Sequence, residues 1–408
     1  MVLRAPGYWQ SRRGVALLLY PFSLLFRWLV WFRRLAFRYG ILYSTNASVP
    51  VVVVGNLTVG GAGKTPLVIS LVEQLQQRGW HPGVVSRGYG GSEVAPTLVT
   101  AAADHSDVGD EALMLSRRTG VPVAVSAKRV AAVELLTTGQ SCNVIVSDDG
   151  LQHYALGRQL EICVIDIDAG LGNGWCLPAG PLREPPSRLR EVDLIVYSGT
   201  TNNVNTSQGV RQAIANLLGQ STDAHCGPVS DSTLDSTLDS TLDSTADSGV
   251  DNQSDRSHTA PIQVAYTLRV ECVVNLQTPS LRKSLADFSD VQVHAVAAIG
   301  RPDKFFRQLR AAGLDIIEHA FADHHAFQES DLVFNDGLDV LMTEKDSVKC
   351  EAWAHRNFWT VNVAAELDSG IVDAVVDRLT GSEQQSPVKQ SPEQQSPVKQ
   401  STAEQAGL

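Results

Sequence analysis

Short apolar runs separated by amphipathic patterns fill two stretches of the chain, residues 50–198 and 261–379. Strand-like runs in the first stretch occupy residues 51–54, 83–86, 121–126, 143–147, 162–166 and 194–198. In the second stretch they occupy residues 291–299, 314–320, 339–342 and 358–363, with a helical pattern at 302–312. Strands that alternate with helices are typical of parallel sheets covered on both faces. The pattern therefore predicts an α/β fold, a doubly wound, mostly parallel sheet followed by a second, smaller α/β domain.

Residues 14–42 form a third apolar stretch, rich in Leu, Phe and Trp and punctuated by arginines. A spanning helix needs about 20 largely apolar residues, and a proline, a serine and an arginine interrupt this run. On a helical wheel Ser23, Arg27, Arg34 and Arg38 share one face and the apolar side chains occupy the rest. This predicts an interfacial helix whose basic side chains meet anionic lipid headgroups. A signal peptide and a single span are the alternatives.

Two polar segments interrupt the alternation. The tetrapeptide Ser-Thr-Leu-Asp repeats within residues 222–257, and a Gln-, Ser- and Pro-rich repeat follows residue 380. Both are predicted to be disordered because they offer little apolar surface to bury; an acidic partner-binding or ion-binding tract is the alternative for the first. The predicted organisation is an N-terminal helix (1–45), a first α/β domain (46–221), the insertion (222–258), a smaller α/β domain (259–380) and the tail (381–408).

Composition narrows the functional classes. The 408 residues are 43% hydrophobic, enough for two ordinary domains, and the formal net charge of −11 argues against a general nucleic-acid binder. Residues 1–72 nevertheless contain no Asp or Glu. The six cysteines lack C-x-x-C spacing, so the sequence indicates neither a zinc cluster nor a disulfide framework and favours a reducing compartment.

The strand-like run at 51–54 leads into a glycine-rich turn that ends in Gly-Lys-Thr. In such loops backbone N–H groups cradle phosphates, the lysine reaches the β- and γ-phosphates and the Thr hydroxyl ligates Mg²⁺. Thr58 stands where the strict pattern has Gly, so this is a variant phosphate loop. A helix is predicted at 67–77, whose N-terminus adds its dipole to the site. The predicted nucleotide-binding residues are Thr58, Val59, Gly60, Gly61, Ala62, Gly63, Lys64 and Thr65.

Candidate catalytic and metal-binding residues occur at three further places in the sequence. Asp148 and Asp149 follow an apolar strand, where a Mg²⁺-holding acid belongs in such a sheet, although a β-turn uses the same residues. Asp110 and Glu111 open a predicted helix at 111–118, where acids also serve as ordinary caps. The Asp-His-His sequence at 323–325 follows a strand, and its histidines suit a surface, a metal site or a base.

Six motifs in this order together resemble the tetraacyldisaccharide 4'-kinase family, also called the lipid A 4'-kinases. They are residues 56–66, 86–90 (Ser-Arg-Gly-Tyr-Gly), 109–111 (Gly-Asp-Glu), 148–153 (Asp-Asp-Gly-Leu-Gln-His), 178–185 (Pro-Ala-Gly-Pro-Leu-Arg-Glu-Pro) and 323–325. The resemblance runs from the N-terminal helix to about residue 379. It implies a P-loop kinase with its active site between two domains. It also implies γ-phosphoryl transfer from ATP, with Mg²⁺, to the 4'-hydroxyl of a tetraacylated glucosamine disaccharide 1-phosphate.

The same resemblance implies residue roles. Asp110 would accept the proton of the sugar hydroxyl, assisted by His324 in preference to His325, and Lys64 would hold the phosphates. Thr65, Glu111 and Asp148 would lie near Mg²⁺. The residues expected to line the phosphate and disaccharide region are Arg87, Asp149, Gln152, His153, Arg183 and Glu184.

The implied location is the cytoplasmic face of a Gram-negative inner membrane, reached peripherally or as a monotopic protein. The expected partners are the glycolipid and the membrane surface, without nucleic acid or a protein partner. The competing hypothesis is a membrane-associated P-loop switch ATPase with a deviant phosphate loop. Val59 stands where that class carries its signature lysine, which favours the kinase.

Overall fold

A computed structural model of the chain describes residues 6–92, 95–100, 102–199, 204–219 and 260–383. The insertion expected at 222–258 and nearly all of the expected tail lie outside these residues. The described strands are β1 (Val51–Gly55), β2 (Pro82–Ser86), β3 (Thr97–Val99), β4 (Val123–Val125), β5 (Val144–Asp148), β6 (Leu160–Asp166), β7 (Leu194–Ser198), β8 (Ile262–Asn275), β9 (Arg282–Lys283), β10 (Gln292–Ala297), β11 (Asp315–Ala320), β12 (Val340–Thr343) and β13 (Phe358–Glu366).

The described helices lie on both faces of this sheet and at the N-terminus. They are α1 (Val15–Arg38), α2 (Lys64–Gln77), α3 (His105–Val108), α4 (Asp110–Thr119), α5 (Arg129–Gly139), α6 (Val204–Leu218), α7 (Pro302–Ala311), α8 (Glu344–Ser347) and α9 (Ser369–Glu383). Short 3₁₀ turns occur at Gly7–Gln10, Pro186–Arg190, Leu285–Phe288, Glu329–Leu332 and Glu351–Trp353. The predicted α/β class and the mostly parallel sheet are confirmed.

One sheet contains all the described strands. Its order is β11-β10-β12-β13-β8-β7-β6-β1-β5-β2-β4-β3, with β9 paired to β8. Strand β8 joins the two predicted stretches, because its first residues pair in parallel with β7 and its later residues pair antiparallel with β13. The sequence pattern did not predict β8. Its side chains alternate between exposed and buried positions, so it lacks the continuous apolar run of a strand covered on both faces.

The central strand β1 is buried at every position. Val52 and Val54 face the layer that contains α2 and α4, while Val51 and Val53 face the layer that contains α5. Because adjacent side chains on a strand point to opposite faces, these valines anchor the sheet in both layers. The end of β1 therefore has a fixed position, and the glycine-rich loop starts from it.

Helix α1 is long and apolar enough to cross a membrane. Its polar face lies against the protein, where the buried Ser23 hydroxyl donates to the Cys176 carbonyl at 2.8 Å. Its apolar face is open, with Leu18 75% and Trp28 59% exposed. The expectation that the basic face meets lipid headgroups is corrected for Arg34, which pairs with Glu191 on the protein surface. A helix that packs through its polar face leaves its apolar face for a nonpolar environment.

Candidate active site

The glycine-rich loop is held in place by hydroxyl groups of two neighbouring strands, Ser198 at the end of β7 and Tyr266 within β8. The Ser198 hydroxyl donates to the Ala62 carbonyl at 2.5 Å, and the Tyr266 hydroxyl donates to the Gly63 carbonyl. Gly63 has φ +82°, and a Cβ there would lie 2.6 Å from the Tyr266 hydroxyl oxygen. Only glycine therefore fits this position without strain. Lys64 opens α2, as the phosphate-loop pattern requires.

The lysine of the glycine-rich loop is held by two polar side chains, those of Asn56 and Asp149. Lys64 Nζ donates to Asn56 Oδ1 at 3.0 Å and lies 3.3 Å from Asp149 Oδ1. Asp149 also receives Arg183 Nη1 at 3.0 and 2.9 Å. Burial raises the pKa of Asp149, but the Lys64 and Arg183 charges outweigh it and bring that pKa down to about 2. The arrangement places the charged side chains of Lys64 and Arg183 together beside the glycine-rich loop. Two neighbouring cations suit the binding of polyanionic phosphates.

The segment that carries Arg183 is tied to the loop by backbone hydrogen bonds. Arg183 N donates to the Leu57 carbonyl at 2.7 Å, and Val59 N donates to the Pro181 carbonyl at 2.9 Å. The side-chain amide of Gln152 donates to the Asn56 carbonyl at 3.3 Å. Motifs that lie far apart in sequence therefore meet at the carboxyl end of the central strands, which is the usual ligand-binding edge of a doubly wound sheet.

Asp148 ends β5 directly beside β1, with Val54 as its register partner. It is 2% exposed, and its Oδ1 atom has no hydrogen-bond partner among the described residues. Burial, together with the carboxylates of Glu111 and Asp149, raises the pKa of Asp148 to about 7, against the lowering effect of Lys64. A buried carboxylate oxygen without a partner is costly and fits a ligand of a hard cation.

Asp110 is the first residue of α4 and is 5% exposed. His324 Nδ1 lies 3.0 Å from Asp110 Oδ2 and 3.2 Å from Oδ1. Burial raises the pKa of Asp110, but the hydrogen bond from His324 and the charges of Lys345 and Lys349 bring it below its ordinary value. Asp110 is therefore a carboxylate near neutral pH and is able to accept a hydrogen bond from a hydroxyl group.

The adjacent histidine has a different environment. His325 Nε2 lies 3.1 Å from Asp331, and its ring stacks on Phe321 with centroids 4.9 Å apart. His324 has φ +60°, a left-handed backbone that turns its ring toward Asp110. The two histidines therefore point to different partners, and only His324 contacts Asp110.

The second stretch of the chain approaches the glycine-rich loop through Gly300. A Cβ on Gly300 would lie 3.2 Å from the Gly61 nitrogen and 3.4 Å from Asp323 Oδ2. Arg301 follows and pairs with Asp166 at 2.8 Å. The Asp110–His324 pair and the phosphate loop are thus close neighbours.

Several predicted residues occupy other positions. Glu184 is 1% exposed, and both of its carboxylate oxygens accept from the Tyr154 hydroxyl, at 2.7 and 2.8 Å. It therefore belongs to the protein interior, where it pairs with Tyr154 and Arg188, and does not line a substrate surface, which corrects the expectation for this residue. Arg87 is exposed. Burial first, and then the charges of Arg129 and Arg87, lower the pKa of His153 to about 4, so this imidazole is neutral.

The predicted metal ligands do not form a ready carboxylate cluster. The described residues contain no group of three or more His, Cys, Asp or Glu side chains placed to hold a metal ion. Thr65 lies in the first turn of α2, and Glu111 pairs with Lys345 at 3.0 Å. The donor set of one hydroxyl and two carboxylates is that of a hard cation bound partly through phosphate oxygens, and the unpartnered Asp148 oxygen fits it.

Sequence reasoning missed several charged residues at this site. Buried Arg129 donates from Nη2 to the Asp148 carbonyl at 3.0 Å. Lys345 and Lys349 border Asp110, and buried Asp346 holds Lys349 at 2.7 Å. The sequence Glu-Lys-Asp at 344–346 directly follows β12 at the same edge of the sheet, and that position was the signal that could have found Lys345 and Asp346.

Comparison with known proteins gives a consistent result. A model of the family described as tetraacyldisaccharide-1-P 4'-kinase matches residues 15–380. A curated tetraacyldisaccharide 4'-kinase from Azoarcus sp. (strain BH72) is 44% identical over 376 residues, which cover 92% of this chain and 95% of that protein. One from Methylobacillus flagellatus is 41% identical over 375 residues, which cover 91% and 94%.

A solved structure shares the fold. The crystal structure of the "apo" form of LpxK from Aquifex aeolicus in complex with ATP superposes with a TM-score of 0.65. It covers 90% of this chain and 100% of that chain at 23% identity.

Proposed function

Because this chain belongs to the tetraacyldisaccharide-1-phosphate 4'-kinase family and is therefore a kinase, we propose that it transfers the γ-phosphoryl group of ATP to the 4'-hydroxyl of a tetraacylated glucosamine disaccharide 1-phosphate. The observation that carries the proposal is the contact of buried Asp110 with His324 beside the glycine-rich loop. A phosphate site next to an oriented carboxylate matches a kinase that must bring a nucleotide and an alcohol together.

The phosphate side of the reaction rests on the loop amides and Lys64. These groups bind the β- and γ-phosphates, and Arg183 lies close enough to share that charge through Asp149. When phosphates enter, Lys64 exchanges Asn56 and Asp149 for phosphate oxygens. Positioned cations of this kind stabilise the negative charge of phosphoryl transfer.

Asp110 acts on the sugar hydroxyl. A carboxylate is a weak base toward an alcohol in the ground state, so its effect grows as the hydroxyl becomes acidic during transfer. His324 orients the carboxylate through its Nδ1 contact at 3.0 Å. The helix that begins at Asp110 fixes the backbone beneath it.

Thr65, Asp148 and Glu111 are proposed to hold Mg²⁺, which neutralises charge on the phosphates when bound. Asp148 gains the most from such a cation, because its buried oxygen has no other partner among the described residues. Glu111 also pairs with Lys345 at 3.0 Å.

The apolar face of α1 is proposed to dock the enzyme on the cytoplasmic face of the inner membrane. Exposed Leu18, Trp28 and Leu29 enter the acyl boundary, while the body of the enzyme stays in water. This brings the cleft to the surface where an insoluble glycolipid presents its sugar headgroup.

The test is a transfer assay with purified full-length protein, Mg²⁺ and γ-labelled ATP. Detergent-dispersed tetraacyl disaccharide 1-phosphate is present in one arm and absent in the other, and label is followed into lipid and into free phosphate. Label in the lipid supports the proposal. Label released only as free phosphate, at a rate that the acceptor does not change, overturns it and supports a switch ATPase.

A further inference from the structure

Lys345 is the first residue after Glu344 in the short helix α8, and its ammonium lies in the cleft. Nζ is 3.1 Å from His324 Nε2, 3.0 Å from Glu111 Oε1 and 3.3 Å from Asp323 Oδ1. Its side chain is 13% exposed. The lysine therefore bridges a histidine and a carboxylate of the second stretch to a carboxylate on α4 of the first stretch.

The contact with His324 restricts where the imidazole proton sits. An ammonium has three donors and no acceptor, and the surrounding carboxylates favour the charged form of the lysine. The Nε2 atom that faces it must therefore be the acceptor with a free lone pair. The single ring proton then lies on Nδ1, where it is donated to Asp110 at 3.0 Å.

Lys345 has no evident part in holding its own loop together. That task falls to buried Asp346, whose Oδ2 accepts from Ala298 N at 2.8 Å and from the Thr343 hydroxyl at 2.7 Å. Asp346 also pairs with Lys349 at 2.7 Å. Helix α8 is thus anchored by a neighbouring residue, and within the described part of the chain the Lys345 ammonium contacts His324, Glu111 and Asp323.

We infer that Lys345 is a positioning residue that fixes the Nδ1–H tautomer of His324 and links Glu111 to His324 across the cleft. The tautomer follows from the donor geometry alone, whereas its catalytic consequence rests on the function proposed above. With its proton on Nδ1, His324 orients the carboxylate of Asp110, whose oxygens keep further lone pairs to accept the sugar hydroxyl. A histidine with its proton on Nε2 would present a lone pair to the Asp110 carboxylate and repel it.

The first experiment reads the tautomer directly. Wild-type protein labelled with ¹⁵N in its histidines is examined by long-range ¹H–¹⁵N NMR, and His324 is assigned by the signal that His324→Gln removes. We expect protonated Nδ1 and unprotonated Nε2. Wild-type protein with the proton on Nε2 overturns the inference, and this result requires no Lys345 variant to fold.

Substitutions then test the cause. Lys345→Met removes the donor and is expected to populate the Nε2–H or doubly protonated ring. Lys345→Arg keeps a donor and should retain Nδ1–H. Lys283→Met is the matched control, because Lys283 lies over the Phe288 and Trp359 rings away from the cleft. A Lys345→Met protein whose His324 keeps Nδ1–H, while its other histidine signals are native, overturns the inference.

Kinetics separate this inference from the proposed function. In lipid phosphorylation Lys345→Met should lower kcat about 10- to 100-fold, as expected for a misplaced catalytic group, with the KM for ATP changed less than about threefold. Lys345→Arg should recover most of kcat. An unchanged kcat overturns the catalytic consequence. Wild-type protein that does not label the lipid overturns the proposed function, and the tautomer measurement still decides the role of Lys345.

Discussion

Arg188 is the centre of a buried charge network, and replacing it by Met isolates what that network contributes. Arg188 Nη2 donates to both Glu161 oxygens at 2.7 Å, and Nε lies 3.3 Å from Glu184 Oε2. The side chain of Arg188 is 2% exposed, and those of Glu161 and Glu184 are 5% and 1% exposed. Met preserves most of the volume and removes the charge.

The expected loss of unfolding free energy follows from the partners that each of the two carboxylates keeps. Glu161 retains Arg158 at 3.1 Å, whereas Glu184 retains the Tyr154 hydroxyl and the charge of Arg34 but loses its ion-pair partner. Breaking a buried pair and leaving a buried charge costs about 3–5 kcal/mol. We therefore expect Arg188→Met to lower the free energy of unfolding by about that amount at pH 8.

The loss of unfolding free energy caused by Arg188→Met should depend on pH. Burial already holds the pKa of Glu184 above its ordinary value, against the lowering effect of Arg188, and loss of Arg188 raises that pKa further. A carboxyl group whose pKa is raised in the folded state binds its proton more tightly when the protein is folded than when it is unfolded. Protonation at low pH therefore favours the folded state, and this stabilisation is lost as the pH rises through the folded-state pKa. The variant should therefore be destabilised less at pH 5 than at pH 8.

The assay is urea unfolding in one nonionic detergent, followed by tryptophan fluorescence at both pH values. Arg78→Met is the matched control, because Arg78 pairs with Asp373 at the surface, with the two side chains 28% and 58% exposed. Exposed pairs contribute about 0–1 kcal/mol. A loss below about 1 kcal/mol for Arg188→Met at pH 8, or an equal loss at both pH values, would refute the reasoning.

Three further outcomes test the site and the membrane face. Lys64→Ala should raise the KM for ATP and lower kcat severely, because the loop loses its phosphate cation, whereas exposed Lys128→Ala should leave both kinetic constants unchanged. Asp110→Asn should lower kcat about 10²- to 10⁴-fold with little change in ATP affinity, and Asp107→Asn should not; a large loss of ATP binding in Asp110→Asn would instead make Asp110 a nucleotide or metal ligand. Trp28→Glu should weaken sedimentation with anionic vesicles about tenfold or more, since burying a large apolar side chain contributes roughly 1.5–3 kcal/mol; undiminished binding would show that this face does not enter the bilayer.

Much of the fold was predictable because its central strands are continuous apolar runs. Strand β1 is buried at all five positions, and β5 ends at the carboxylate that the pattern indicated. Helix α2 began at residue 64 and not at 67, since the loop lysine already takes helical geometry. Strand β8 was missed because its apolar and polar residues alternate and form no continuous apolar run, and its side chains are accordingly only partly buried.

The candidate site was only partly predictable. Motifs with glycine, lysine and acid at fixed spacing indicate a phosphate loop whatever their surroundings, so Lys64 and Asp148 could be predicted from local sequence. Lys345 has only a weaker signal, its position directly after β12, because a lysine in the first turn of a short helix is also typical of a solvated surface. Glu184 was assigned to the cleft by its motif, yet its 1% exposure makes it a buried support.

The sequence by itself determined the phosphate loop, most of the buried strands along the chain and the apolar helix at the N-terminus, because each depends on residues close together in the chain. Tertiary structure alone decided which distant side chains meet. Asp110 and His324 are 214 positions apart, and only the continuous sheet through β8 brings them together. It also turned the polar face of α1 toward the protein and left its apolar face exposed, since burial depends on what lies opposite a helix, which no local pattern specifies.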